Sequence, residues 1–460
     1  MKLAPVRDLA AAAALSLVPG MALAGPPTAP PPPSPIDAPI TYVVQRGDTL
    51  YDLAKAYLRS VNDYRHVQRV NRISQPRALP IGARLRIDPA LLRTDPLDAR
   101  LSAFSGRVQV ETGGRLAPAR VGMAILEGQR LITGPNAFAT IDIADASRVT
   151  LPSNTSLRVV RLRQVVLTSA PQRIFQLDEG RGTVSATPTT NPNARFEVRT
   201  PVSISAVRGT EFRVRYAPAQ PGLLARAQTE VLKGAVAVYA PDASSVVLNT
   251  ATATPAGFGV TATADAVSGP TALLPPPRLA AGDDRQSERI VRFAAEPVAG
   301  AAAYRMQLSR DAGFVDLFAE ATAPEPVAVF DDMPGGTYFI RLTALDGGGL
   351  EGLGADYSFD RDLDTLEPGP SPTPSVEGKH RYFLFRWNAA GDGVRSFRFQ
   401  LFSGTEPVSP IVDQPGLTDP QLTLTDLPPG AYSWRVSAVR FKKGTYTERL
   451  GPLQPLQIGR

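Results

Sequence analysis

The sequence predicts a multidomain, mostly β chain: a small βααβ module, a long all-β middle domain of sandwich or β-helix-like build, and two C-terminal β-sandwiches. Three observations carry this expectation. The 460 residues exceed one ordinary core, since domains run to roughly 100 to 200 residues. The 45 prolines and 38 glycines are spread along the chain, and both residue types interrupt helices and mark turns between short strands. A stretch near the C-terminus also repeats itself about one sandwich length further on. Hydrophobic content of 43% with 20% charged residues is that of packed globular domains.

At the N-terminus, Lys2 and Arg7 precede the apolar run Leu9 to Val18, and Ala22-Leu23-Ala24 offers small residues where a signal peptidase reads. Residues 1–24 are therefore expected to be a cleaved Sec signal, and the mature protein to be periplasmic or otherwise exported. No later apolar stretch approaches the roughly 20 residues that span a bilayer, so no transmembrane segment is expected in the mature chain. The chain has no cysteine, which excludes disulfides, thiolate metal sites and thiol nucleophiles. Residues 25–40 are rich in proline and read as a polyproline-like linker.

Residues 41–90 form the first module. Thr41 to Gln45 alternates as a strand, and Arg46-Gly-Asp-Thr-Leu50 turns into a helix with Thr49 as N-cap and Asp52 completing a capping box. Leu50, Leu53, Ala54 and Tyr57 share one helical face; Tyr64, Val67 and Val70 make a second stripe. The turn Pro80-Ile-Gly82 then leads to a closing strand, Ala83 to Ile87. Nine Arg and Lys against four Asp give this segment most of the chain's net charge of +6, a balance suited to an anionic polymer at low salt or to a solvated arginine-rich helix face.

On Tyr42, Val44, Gly47, Asp48, Thr49, Leu50, Leu53, Ala54, Asn71, Gly82 and Leu85 the segment resembles a LysM module. It departs where Ile81 separates Pro80 from Gly82, and in the inter-helix stretch Asn62 to His66. The resemblance implies binding of N-acetylglucosamine-containing glycans, peptidoglycan or chitin, in a shallow groove. Gly47, Asp48, Thr49, Leu50 and Tyr51 would line one side; Asn71, Ile73, Leu79, Pro80 and Ile81 would line the other. Leu50 and Ile81 are expected to cover sugar faces. Asp48 and Thr49 have an alternative role as caps of the helix.

Pro89 and Pro96 mark a second spacer, and residues 101–265 read as one long β domain. Its recurring units Gly106-Arg-Val108, Gly182-Thr-Val184 and Gly234-Ala-Val236 each look like the start of a strand. With Val198-Arg-Thr-Pro201, Val207-Arg-Gly-Thr-Glu-Phe212 and Glu230-Val-Leu-Lys-Gly234, the region resembles the FecR periplasmic domain. In that family the domain senses an extracytoplasmic signal through an attached membrane helix and regulator. This chain is read as having neither, which leaves a β scaffold contacting another envelope component. Arg208 and Glu211 are read as charges flanking a turn at Gly209.

Proline returns at 270–277, and two related units follow. Met333-Pro-Gly-Gly-Thr-Tyr-Phe-Ile-Arg-Leu-Thr-Ala-Leu345 aligns with Leu427-Pro-Pro-Gly-Ala-Tyr-Ser-Trp-Arg-Val-Ser-Ala-Val439, Phe293 with Trp387, and Tyr304 to Leu308 with Phe397 to Leu401. Residues 281–361 and 374–459 thus resemble fibronectin type III repeats, which serve as spacers or interaction surfaces.

Other signals weigh little. Gly347-Gly-Gly-Leu-Glu-Gly352 spells a phosphate-binding string but precedes no helix. Two distant histidines, His66 and His380, leave few candidates for a zinc site or a Ser-His-Asp triad. Basic residues without interleaved aromatics argue against nucleic acid. The expectation is a non-enzymatic peptidoglycan-binding adaptor with no cofactor, metal or catalytic residue, and with an envelope protein partner engaged through the FecR-like or sandwich domains. The alternative is a signal-sensing or assembly factor whose middle domain binds a protein or small ligand.

Overall fold

A computed structural model describes residues 39–240 and 251–459 of the chain. The expected signal peptide, and the linker up to residue 38, lie outside the described residues.

In the first module, strand β1 (Ile40–Val43) pairs antiparallel with β2 (Arg84–Ile87), Tyr42 opposite Leu85. Helix α1 (Leu50–Tyr57) starts at Thr49, whose hydroxyl oxygen accepts the Asp52 amide at 3.1 Å. The expected capping box is only half formed here, because Asp52 takes the Thr49 hydroxyl at 2.7 Å instead of the Thr49 amide. The complete box lies at Ser60 and Asp63, where a short 3-10 turn leads into helix α2 (Tyr64–Val70). Leu50, Leu53, Ala54 and Val67 are buried between sheet and helices, whereas Val70, expected in the stripe, is exposed.

The stretch read as a second spacer is structured. Pro89–Leu91 forms a 3-10 turn, the Arg93 amide bonds the Tyr57 carbonyl at 2.7 Å, and Thr94–Pro96 pairs with the end of strand Thr155–Val165. That strand's tip donates Val165 to the core of the first module, with Leu167 packed against it. The module is thus completed by residues from the next domain.

The middle domain has two β layers joined by one long strand, Ala170–Ser185. Its residues 172–176 pair with Arg195–Thr200 in one layer, and 180–185 pair with Glu211–Ala217 in the other. Between these layers lies a single large apolar core containing Leu101, Leu131, Ile141, Phe175, Phe196, Phe212 and Val236. Gly106 and Gly234 sit at turns as expected, but Gly182 lies inside the long strand and starts nothing. The Arg-Gly-Thr string has a steric reason: at Gly209 (φ +96°) an added Cβ would lie 2.5 Å from Pro188 Cα.

The two C-terminal repeats are sandwiches. In the first, a five-stranded sheet centred on Gly336–Asp346 faces the pair Val291–Ala294 and Val327–Phe330; in the second, Gly430–Lys442 is central. Their equivalence is seen in side-chain detail: the Tyr338 hydroxyl donates to the Pro334 carbonyl at 3.0 Å, and the Tyr432 hydroxyl to the Pro428 carbonyl at 3.0 Å. Phe293 and Trp387 are both buried, with Trp434 at the centre of the second core. No helix among the described residues is long and apolar enough to cross a membrane.

Candidate functional site

In the first module two turns meet. Gly47, with φ +93°, lets the chain reverse between β1 and α1, and Gly82, with φ +80°, does the same ahead of β2. The turns are stitched by backbone bonds: Leu50 amide to Pro76 carbonyl at 2.9 Å, Val44 amide to Ala83 carbonyl at 2.9 Å, and Gly82 amide to Val44 carbonyl at 2.9 Å. The Asp48 carboxylate faces inward to this turn, accepting the Tyr42 hydroxyl at 2.8 Å and the Gln45 amide at 2.7 Å. It caps no helix; it ties the loop to β1. Burial, reinforced by that carboxylate, pushes the Tyr42 phenol up to about 12.

The ten residues expected to line the groove divide by exposure. Tyr51 is 56% and Ile81 69% exposed, so both present apolar surface to solvent. Gly47 and Pro80 are exposed; Asp48, Thr49, Ile73 and Leu79 are half-buried. Leu50 is 2% exposed and its side chain belongs to the core, so it covers no sugar face. The Asn71 amide is committed to structure: Nδ2 donates to the Val67 and Arg86 carbonyls, both at 2.8 Å, and Oδ1 accepts the Arg86 amide at 2.7 Å. It clamps α2 to β2. The sequence reading missed Pro76, whose carbonyl joins the two turns; its place within Ser74-Gln-Pro76, a turn-prone run, was the available signal.

A second concentration of charge lies between the middle domain and the first repeat, at the glycine-rich string set aside above. Glu351 is 6% exposed and accepts Arg213 Nη1 at 3.0 Å, Arg305 Nη1 at 2.9 Å and the Thr343 hydroxyl at 2.9 Å. Arg213 Nη2 also donates to the Gly352 carbonyl at 2.6 Å, and the Glu351 amide bonds Glu230 at 3.2 Å. Burial opposes ionisation of Glu351, but Arg213, Arg305 and Arg181 outweigh it and hold the carboxyl well below the ordinary range. Burial pushes Glu230 up to about 7, against a smaller opposing pull from Arg213. Beside this cluster Phe314, at φ +53° and 3% exposed, packs onto Phe138 of the middle domain, while the Thr140 hydroxyl donates to the Val315 carbonyl at 2.8 Å. Arg208 and Glu211 do not meet each other: Arg208 reaches the Pro192 carbonyl and Glu211 pairs with Lys233. Among the described residues no group of three or more His, Cys, Asp or Glu is placed to hold a metal ion.

Residues 42–88 match the family model for the LysM domain, and residues 129–237 that for the FecR protein. Comparison with curated proteins gives no match. Among solved structures, a candidate anti-sigma factor from Parabacteroides distasonis is 16% identical over 31% of this chain, with a TM-score of 0.24. The chain spans 59% of that protein's length. The two-domain fibronectin type III segment of chicken tenascin is 17% identical over 40% of this chain and 99% of its own, with a TM-score of 0.20. The fibronectin(III)-like modules of Clostridium thermocellum CbhA are 11% identical over 40% and 93% of the two chains, with a TM-score of 0.18. LysM domains point to glycan binding and FecR domains to envelope signalling, and neither family is catalytic. The chain thus carries a LysM domain at 42–88 and a FecR domain at 129–237, within a mostly β architecture that ends in two β-sandwiches.

Proposed function

We propose that this protein is an exported, non-catalytic scaffold that binds peptidoglycan through its LysM cleft and presents the FecR domain and sandwiches to an envelope partner. The observation that carries the reading is the LysM match over the segment in which two glycine turns are stitched side by side. The Asp48 amide and the Thr49 and Pro80 carbonyls are taken up by the turns themselves, and the remaining backbone groups of Gly47 to Thr49 and Leu79 to Ile81 suit the acetamido groups of N-acetylglucosamine. Tyr51 and Ile81 supply apolar surface for ring and methyl faces; Ile73 extends it, Asp48 acts by holding the first turn, and Asn71 by clamping α2 to β2. One shallow site of this kind binds with roughly millimolar to micromolar affinity, and a polymer offers many sites in succession. The periplasmic location rests on the signal sequence read at residues 1–24.

The test uses the full chain. Wild type is expected to pellet with purified peptidoglycan, and Tyr51→Asp/Ile81→Asp to stay in solution with an unchanged melting curve, since both side chains are exposed. Equal pelleting of the two would remove the cleft from the explanation. Soluble fragments released from labelled peptidoglycan would overturn the non-catalytic assignment. The FecR match favours a second reading, in which wall binding only localises a signalling or assembly factor; capture of a membrane-bound sensor on the purified protein would support it.

A further inference from the structure

The cations of the LysM module face no carboxylate among the described residues. None of its nine Arg and Lys side chains forms an ion pair with a described residue; Arg59 reaches the Leu92 carbonyl at 3.2 Å and Arg65 the Tyr64 hydroxyl at 3.5 Å. The four carboxylates of the segment are occupied by local turns and caps. Asp48 holds Tyr42 and Gln45, Asp52 the Thr49 hydroxyl, Asp63 the Ser60 amide at 3.3 Å, and Asp88 the Ala90 amide at 2.8 Å. Elsewhere the exposed Arg398 faces Asp413 squarely, at 2.8 and 2.6 Å, and the half-buried Arg341 faces Asp356 in the same way, at 2.7 Å twice.

Three of these cations stand on the cleft's own loops. Arg46 precedes Gly47 in the first turn, while Arg72 and Arg77 bracket the run that ends in Pro76, whose carbonyl takes the Leu50 amide. All three are exposed. Arg72 also has φ +53°, a left-handed helix end that glycine or asparagine fits with less strain, so the backbone gives no reason for arginine there. Exposed unpaired guanidiniums add little to folding, but around a cleft they raise the local concentration of anions and grip carboxylates in two-pronged fashion. A neutral amino-sugar polymer makes no use of them.

We infer that the cleft selects glycan strands bearing free carboxylates, as peptide-substituted wall glycan does, over neutral N-acetylglucosamine polymer, with Arg46, Arg72 and Arg77 reading the charge. This rests on the glycan-binding reading above.

The experiment measures binding of the full chain to three probes: a neutral chito-oligosaccharide, purified peptidoglycan freed of phosphate polymers, and the same peptidoglycan with its amines first acetylated and its carboxylates then capped by carbodiimide and methylamine. Binding to native peptidoglycan is expected to weaken about tenfold between about 0.05 and about 0.5 M salt, while binding to the two neutral probes stays flat. The R46Q/R72Q/R77Q variant is expected to lose about tenfold on native peptidoglycan at low salt and nothing on chito-oligosaccharide, which also shows that it is folded. Equal binding of variant and wild type to native peptidoglycan, or equal binding of capped and native material, overturns the charge selection and leaves glycan binding standing. Failure of wild type to bind any of the three overturns the glycan reading itself.

Discussion

Arginine is used in opposite ways at the two ends of the LysM-to-sandwich stretch. In the LysM module the guanidiniums are exposed and face no carboxylate among the described residues; at the junction of the FecR domain with the first repeat, Arg213 and Arg305 are buried and converge on Glu351. An exposed cation is free to meet a ligand and is worth little to the fold, whereas a buried one demands its partner and makes two domains depend on each other. Arg213 and Arg305 alternate with apolar residues on the strands Glu211–Ala217 and Ala301–Ser309, whereas Arg46, Arg72 and Arg77 stand in loops, but strand periodicity alone does not say which face is covered. What decides is whether a distant segment arrives to cover them.

The comparison is broken most directly at Glu351. Glu351→Gln removes the carboxylate that Arg213 and Arg305 share, leaving Arg305 its bond to Glu320 at 3.0 Å and Arg213 only the more distant carboxylate of Glu230 at 3.9 Å, and unfolding in urea is expected to show a loss of about 3 to 5 kcal/mol. Paired substitution of Arg46 and Arg77 by Gln should leave the same urea curve unchanged, and a comparable loss there would erase the distinction. Phe314→Ala is expected to cost about 3 kcal/mol, because it empties the apolar contact with Phe138 at the junction.

Asn71→Ala should cost about 1 to 3 kcal/mol, since it strips the α2-to-β2 clamp and leaves the Arg86 amide and the Val67 carbonyl without their side-chain partner. If instead the variant melts like wild type but no longer binds glycan, Asn71 is a ligand contact. The smallest effect concerns pH. Glu230 is held up to about 7 against an ordinary 4.5, so between those values the folded chain keeps a proton that the unfolded chain has lost. This group's contribution therefore falls as pH rises from about 4.5 to about 7, and Glu230→Gln should flatten that part of the stability profile. An identical profile for the variant would show that Glu230 does not titrate in this window.

The parts legible in the sequence are those whose partners are near. The Thr49 cap, the glycine turns of the LysM module and the Pro-Gly-Tyr corners of the two sandwiches are all set within a few residues, and alternating strands carry the repeat over its whole length. The LysM resemblance alone puts Leu50 at the groove; burial against α2 and β2 decides its place instead. Glu351 was passed over inside a glycine run because Arg213 lies 138 residues away, and neither residue alone signals a buried network. The spacer after the LysM module was misread for the same reason, since the strand that pairs with Thr94–Pro96 ends far downstream at Val165.

That hairpin tip, with Val165 and Leu167 set into the LysM core, imposes an order on biogenesis. The residues that seal the first module come roughly eighty positions after its closing strand, so its core closes only once the hairpin strand ending at Val165 has formed. Maturation of the wall-facing end is thereby tied to maturation of its neighbour, and a chain truncated between the two would carry a leaky, protease-sensitive head.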